Sequence, residues 1–181
     1  RSVVGVTLYF KNAKNEKGDI AVNAARFASQ VIDPDIVDDC ATYGRSTKVY
    51  DDTEAELTQI REGINGVDRL CIYKISSDGW LVAFDIPSNE DDRHEPGEKI
   101  EFGEELKPYI GTLFKGESVE AVESNGIRGW VMSAYYPIID NSGICTGYAT
   151  AEVSLKYVSD YMWDFMLRVL FIMLSFYILI S

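Results

Sequence analysis

The sequence predicts an α+β fold that continues into a membrane helix. Helical patterns dominate the first third of the 181-residue chain, short β-rich segments separated by turn residues follow, and residues 165–180 form an apolar tail. Because helices and strands are segregated along the chain, an antiparallel sheet with helices packed on it is favoured over alternating βα units. The tail would expose a large apolar surface in water, so a membrane location is expected.

The N-terminal part of the chain carries three helix signals. Residues 12–32 place apolar side chains at the 3- and 4-residue spacing of an amphipathic helix. Asp33 and Pro34 are typical of the N-cap and first position of a short second helix. A third helix is expected to begin at Thr53, where Thr-Glu-Ala-Glu matches a capping box.

Five strands are predicted for the second part of the chain. The first two are joined by Asp78-Gly79, a strong hairpin signal. An acidic connection over 87–102 and a short helix near 104–115 separate the second strand from the third. The strands are expected over residues 69–75, 80–86, 119–123, 127–139 and 144–154.

A final helix is expected to grow directly out of the last strand. From Leu155 to Phe165 its apolar residues alternate spacings of 3 and 4, the pattern of a heptad seam. The domain is therefore assigned to residues 11–154 and the signalling and membrane helix to 155–181. Residues 1–10 contain an apolar stretch too short to span a bilayer. They are expected to be either the end of a first transmembrane helix or the start of a soluble one.

Composition excludes several function classes. The net charge of −12 argues against nucleic acid as a partner, since phosphate binding needs clustered Lys and Arg. Half of that charge lies in residues 90–105, a stretch expected to be solvated. His94 is the sole histidine, so zinc binding or histidine-assisted nucleophilic catalysis is not expected. We expect no cofactor, no metal and no enzymatic activity in this region.

Residues 70–153 resemble the single Cache domain, a PAS-like extracytoplasmic sensor of bacterial transmembrane receptors. The likeness is carried by three blocks, CIYKISSDGWLVAFD, LFKGES and GWVMSAYYPIIDNSGICTGYATAEVS. It implies a PAS-like antiparallel sheet behind a long N-terminal helix, and a cell-membrane receptor whose sensor domain lies outside the cytoplasm. It also implies a small-molecule ligand bound over the sheet and an effector driven through the C-terminal helix.

The candidate ligand-binding residues lie in the predicted strands. Three chemical features suggest ligand binding: a carboxylate at a strand end, an Arg suited to bidentate contact with a carboxylate ligand, and tyrosines able to line an apolar pocket. The competing interpretations are that the carboxylate caps a turn, that the Arg is exposed, and that the tyrosines belong to the core. The candidates are Tyr73, Asp85, Arg128, Trp130, Ser133, Tyr135 and Tyr148.

Two functions remain open from the sequence. The first is a ligand-binding signal-transduction receptor, with a small molecule such as a carboxylate as ligand and a homodimer formed along the long helix and the Leu155–Phe165 seam. The alternative is a ligand-free structural or protein-interaction domain of a membrane-anchored protein, in which side chains fill the pocket.

Overall fold

The computed structural model describes residues 2–126 and 129–180 and confirms the α+β class. Short 3₁₀ turns connect several of its elements. In chain order the helices and strands are α1 (Ser2–Val31), α2 (Val37–Tyr43), α3 (Tyr50–Gly63), β1 (Val67–Ile75), β2 (Gly79–Pro87), β3 (Lys99–Glu101), α4 (Ile110–Phe114), β4 (Val119–Gly126), β5 (Gly129–Ile139), β6 (Cys145–Ser154) and α5 (Lys156–Ile180).

The strands form one antiparallel sheet in the order β3-β2-β1-β6-β5-β4. The predicted count of five strands is therefore wrong by one, because the acidic connection contains the three-residue strand β3. Such a short, charged edge strand carries no recognisable alternation. It also depends on Gly79, where a Cβ atom would collide with the backbone of Ile100.

Helices α1, α2 and α3 cover one face of the sheet. The buried positions of α1 are mostly alanines, so this helix lies close against the central strands. Larger residues of α3 and the sheet supply most of the remaining apolar core on this face. Tyr50 stacks on Phe84 with ring centroids 4.6 Å apart. Burial of this aromatic pair anchors α3 to β2.

The start of α3 differs from the sequence prediction. The helix begins at Tyr50 rather than at Thr53, and the Thr53 hydroxyl donates to the Val49 carbonyl within the helix. Tyr50 is only 1% exposed. The free energy gained by burying this large ring outweighs that of a capping box at Thr53, which is a surface interaction of about 1 kcal/mol. The predicted Asp33 cap is present, since its carboxylate accepts from the backbone N–H of Asp35.

The opposite face of the sheet is covered by α4 and by the segment 99–106, called the cap below. Tyr148 fixes this layer, because its hydroxyl lies 2.7 Å from the Leu113 carbonyl and 3.1 Å from the Glu117 carbonyl. These bonds hold the C-terminal end of α4 and the turn that follows it against β6. The cap and α4 thus form the second layer over the sheet.

Helix α5 leaves the sheet at a packed corner, called the junction below. The Leu155 N–H donates to the Trp130 carbonyl at 2.8 Å, which ties the start of the helix to β5. Met132, Leu155 and Val158 are buried together there, with Phe10 of α1 packed against them. The N-terminal part of α1, around Phe10, and the first turn of α5 therefore share one corner.

Beyond the junction, α5 is apolar and exposed. The stretch Lys156–Ile178 is long and apolar enough to cross a membrane, and none of its most apolar window is buried in the protein. The predicted heptad seam begins inside the junction, where Leu155 and Val158 contact their own chain. The homodimer along the long helix and this seam therefore stays a prediction.

The β4–β5 hairpin is longer than expected. Strand β4 runs to Gly126, so the predicted end of this strand at residue 123 is wrong. Ser124 and Asn125 pair with Val131 and Trp130 of β5. Residues 127 and 128, which the sequence assigned to the start of the next strand, lie outside the described residues.

Replacing Phe84 by Ala should destabilise the domain strongly. Phe84 is fully buried, so the change removes the ring from the core and leaves a cavity, at a cost of about 3–5 kcal/mol. Phe114→Ala is the matched control, because that ring is 52% exposed. Urea unfolding in detergent micelles, followed by circular dichroism, measures both. Equal losses for the two variants would contradict the described core.

Candidate functional site

A cavity of about 450 Å³ lies between the sheet and the cap, on the face opposite α1. Its volume is within the range of small-molecule sites in proteins. Strands β1, β2, β5 and β6 form its floor, the cap forms its wall, and the β4–β5 hairpin closes one side. The cavity is thus built from every strand of the sheet, including the edge strands.

The floor of the cavity is aromatic. Trp80 lies parallel to Tyr135, with centroids 5.7 Å apart and planes inclined by 4°, and it also stacks on Tyr73 at 5.5 Å. Phe102 of the cap meets the Trp80 ring edge-on at 5.1 Å. The rings support one another, and such packing holds them in place without a ligand.

Polar side chains lie beside this floor on the central strands. Glu152 of β6 pairs across to Ser133 of β5, and Thr150 pairs across to Tyr135. Ser133 and Thr150 are each 3% exposed. Because alternate residues of a strand share one face, these four side chains lie on the cavity side of the sheet.

A buried ion pair supports the site from the β1–β2 side. The Arg69 guanidinium donates to the Asp85 carboxylate at 2.5 Å and to the Asp92 carbonyl at 2.8 Å. Its Nε lies 3.8 Å from a Glu152 oxygen. Asp85 also accepts from the His94 backbone N–H at 2.8 Å and from the Cys71 thiol at 3.2 Å. These contacts attach the acidic connection to the sheet.

Burial governs protonation in this region. Burial tends to lower the pKa of Arg69, but neighbouring Cys71, Asp85 and Glu152 raise it, and the net direction is upward. Burial, followed by the charge of Asp85, raises the pKa of the Cys71 thiol well above its usual value. Arg69 therefore stays charged, and Cys71 stays a neutral, unreactive thiol.

The charged side chains that line the cavity, within the described residues, are all glutamates. Glu152 comes from the sheet, while Glu101, Glu104 and Glu105 come from the cap. Lys107 pairs with Glu104 at 2.6 Å on the outer side. Burial raises the pKa of the Tyr135 hydroxyl, and Glu152 and Glu105 raise it further, so both carboxylates act on the same end of the floor.

The structure brings together three of the seven predicted site residues. Tyr73, Ser133 and Tyr135 line the cavity. Tyr148 lies on the same face of the sheet, but its hydroxyl holds α4, which agrees with the competing interpretation of a core tyrosine. The Asp85 carboxylate pairs with Arg69 instead of lining the cavity. The other described candidate, Trp130, does not line the cavity.

Trp130 and Arg128 are the other two candidates from the sequence. Trp130 lies away from the cavity floor, packed at the junction. Arg128 lies outside the described residues. The expected carboxylate ligand depended on that Arg, and no Lys or Arg is among the described residues that line the cavity.

Sequence reasoning missed Trp80, Glu105, Glu152 and the role of Arg69. Two of these carried a usable signal, because Arg69 and Glu152 are charged residues inside strands that the order of elements makes central. A charge in a central strand is normally buried with a partner. Glu105 gave no such signal, since it lies in a run of acidic residues.

A second, more open groove of about 640 Å³ lies beside the junction. Trp130 and Glu123 of the hairpin and Trp163 of α5 are among its lining residues. The Trp130 indole donates to the Glu123 carboxylate at 2.5 Å, and Lys14 of α1 also pairs with Glu123 at 2.9 Å. These bonds join the hairpin to α1 near the membrane helix.

Metal binding has no obvious site in this arrangement. Across residues 2–126 and 129–180, no three His, Cys, Asp or Glu side chains are grouped closely enough to hold a metal ion. The glutamates of the cavity are therefore spread around its lining rather than converging on one point.

Comparisons with known proteins add little. No protein-family model matches the chain, and no curated protein matches it. One solved structure, described as "Flavin Analogue Sheds Light on Light-Oxygen-Voltage Domain Mechanism", is similar over 63% of this chain and 96% of its own. Its TM-score of 0.39 and 11% identity are too low to assign a fold, a cofactor or an activity to this chain.

Asp85→Asn should destabilise the protein by about 3–5 kcal/mol, because it leaves the buried Arg69 charge without its main partner. Asp38→Asn removes the same charge from an exposed pair with Lys74 and should cost less than about 1 kcal/mol. Urea unfolding compares the two variants. A small loss for Asp85→Asn would mean that the pair does not support the cavity.

Proposed function

We propose that this chain is a membrane-anchored sensor domain with a PAS-like, Cache-like architecture, which binds a small molecule in the cavity and passes the change to α5. The sensor domain lies outside the cytoplasm in this proposal. The observation that carries it is the shared wall between the cavity and the junction groove, since Asn125 and Gly129 line both.

The route from cavity to membrane runs through β5. Val131 and Ser133 line the cavity, whereas Trp130 and Met132 between and beside them pack at the junction. Any displacement of β5 by a ligand must therefore move junction side chains as well. The hydrogen bond from Leu155 to the Trp130 carbonyl then transfers that displacement to the first residue before α5.

The short connection between sheet and helix makes this transfer efficient. Strand β6 ends at Ser154 and α5 begins at Lys156, so one residue separates them. The Ser154 hydroxyl accepts from the Lys156 N–H at 3.0 Å, and the Ser154 N–H donates to Asp68 at 2.8 Å. With both sides of this link bonded, a rotation of the helix would either break these hydrogen bonds or move the end of the sheet with it.

The arrangement of the two long helices supports anchoring at one membrane face. Tyr9 and Phe10 of α1 contact the Tyr161 ring of α5, at centroid distances of 5.3 and 6.3 Å. The start of α1 and the apolar part of α5 therefore lie on the same side of the domain. Either interpretation of residues 1–10, membrane or soluble, is compatible with this geometry.

Ligand binding would act by changing the populations of two arrangements of the domain. A ligand shifts such an equilibrium only by its difference in affinity for the two states. The cap is the element best suited to differ, because it is held by the short strand β3 at the sheet edge. No catalysis is proposed for these residues. The ligand-free structural alternative, in which side chains fill the pocket, is disfavoured by the open space of about 450 Å³.

A screen of small metabolites against the full chain in lipid nanodiscs tests binding. At least one compound should raise the melting temperature, since a ligand that binds the folded state alone stabilises it by mass action. Ser133→Leu should abolish that increase by filling the floor of the cavity, whereas Ser142→Leu in an exposed turn should not. A full library without any hit would remove the proposal.

Hydrogen exchange tests transmission in the same sample. A bound ligand should change the exchange rate of the Leu155 amide and of the first turn of α5. Protection confined to the cap, with the Leu155 amide unchanged at saturation, would leave a binding domain that does not signal through this helix.

A further inference from the structure

A polar groove and an apolar groove meet at Trp163 on helix α5. The groove of about 640 Å³ beside the junction is lined on its helix side by Lys156, Ser159, Met162 and Trp163. A second groove, of about 320 Å³, continues along the exposed surface of the helix from Trp163 to Met173. Because Trp163 lines both, the two grooves adjoin.

One face of α5 carries both grooves. Six of their lining residues follow one another at alternating spacings of 3 and 4, which places them on the same side of a helix. These residues, called the α5 stripe below, are Lys156, Ser159, Trp163, Met166, Leu170 and Met173. Along the stripe the side chains therefore change from charged and hydroxylic to apolar, and the change occurs at a tryptophan.

The length of the apolar part matches one leaflet of a bilayer. Met173 lies ten residues after Trp163, so this part of the stripe is about 15 Å long at a rise of about 1.5 Å per residue. That length is half of a hydrocarbon core of about 30 Å. Indole rings concentrate at the boundary between headgroups and acyl chains. With Trp163 at that boundary, Lys156 and Ser159 lie on its aqueous side.

The groove beside the junction presents one uncompensated charge, that of Lys156. The other charged residue among its described lining residues is Glu123. The two Glu123 oxygens accept from the Lys14 ammonium at 2.9 and 3.0 Å, and one of them also accepts from the Trp130 indole at 2.5 Å. The Lys156 ammonium makes no ion pair with any described residue. An ammonium in this position suits a phosphate group, to which it can donate charge-assisted hydrogen bonds.

A lipid fits the apolar part of the stripe better than a second helix does. Helix pairs in membranes pack through small residues that let their backbones approach closely. Trp163, Met166, Leu170 and Met173 are all large, and each is more than half exposed. A flexible acyl chain can follow the spaces between such side chains, whereas a rigid helix would be held away by them.

We infer that the α5 stripe binds one phospholipid of the bilayer, with its phosphate beside Lys156, its glycerol region at Trp163 and an acyl chain along Met166, Leu170 and Met173. This inference goes beyond the proposed sensor function, because the cavity takes no part in it. From that proposal it uses the membrane location of α5 alone.

Native mass spectrometry of the full chain in dodecyl maltoside micelles tests the site with three probes. Dioleoylphosphatidylglycerol should be retained as one molecule per chain. Dioleoylglycerol, which has the same acyl chains without the phosphate, should bind at least about tenfold more weakly, since it lacks the partner of the ammonium. Glycerol 3-phosphate, which lacks the acyl chains, should not be retained.

Four variants with exposed side chains locate the site without disturbing the core. Lys156→Gln should weaken binding of the phospholipid about fivefold or more, because it removes the charge. Lys115→Gln, the same change on an exposed residue beside the other end of β6, should have no effect. Trp163→Ala should also weaken binding, whereas Ile172→Ala, on the opposite face of α5, should not. Lys156→Arg should retain the phospholipid, since it keeps the charge.

Three results would overturn the site. The first is equal retention of dioleoylglycerol, and the second is equal binding by the Lys156→Gln and Lys115→Gln variants. The third is a dimer of the chain that carries no lipid and is lost in Trp163→Ala, because the stripe would then be a helix interface.

Flotation with dioleoylphosphatidylcholine vesicles separates this inference from the proposed function. A chain that floats with the vesicles but retains no phospholipid in micelles keeps the proposed membrane anchor and loses the lipid site. A chain that does not float loses both.

Discussion

The buried charge of Arg69 is the constraint on which the cavity side of this fold depends. A guanidinium that is 4% exposed on a central strand must be neutralised and hydrogen-bonded by its surroundings. Asp85 supplies the charge, and the Asp92 carbonyl supplies a further acceptor. Because Asp85 also accepts from the His94 backbone, the acidic connection is held to the sheet at this point. The cap follows directly in sequence, so its position over the cavity depends on the same pair.

The two faces of the sheet have different roles as a consequence. The helix face is an apolar core in which alanines of α1 and the Tyr50–Phe84 stack leave little free space. The cavity face combines aromatic rings with buried polar and charged groups, and it keeps a space of about 450 Å³. In the proposed function, rigid packing on one side and a covered cavity on the other would let a ligand move β5 and the cap without disrupting the core. The junction would then convert that movement into a change at α5.

The sequence predicted the class of fold and most of its elements because hydrophobic periodicity and turn residues encode them locally. The Asp78-Gly79 hairpin, the Asp33 cap and the direct passage from the last strand into α5 are all present. Strand β3 and the start of α3 at Tyr50 were missed, since both depend on tertiary contacts that no local pattern carries. For the same reason the site was only partly predicted. The cap residue Glu105 reaches the cavity through the path of the chain. Strand alternation puts Ser133 and Tyr135 on one face of β5, but it does not say which face of the sheet holds the cavity.

The central claim is that occupancy of the cavity and the position of α5 are linked, and a distance measurement across that link tests it most directly. Spin labels at Tyr109→Cys beside the cap and at Tyr157→Cys on α5 occupy exposed positions, and Cys145→Ser removes the half-buried native thiol. The account predicts that a saturating ligand identified in the metabolite screen shifts the distance distribution measured by pulsed electron resonance. It also predicts no shift in the Ser133→Leu variant, in which the floor of the cavity is filled. An unchanged distribution in a chain shown by calorimetry to be saturated would contradict the account.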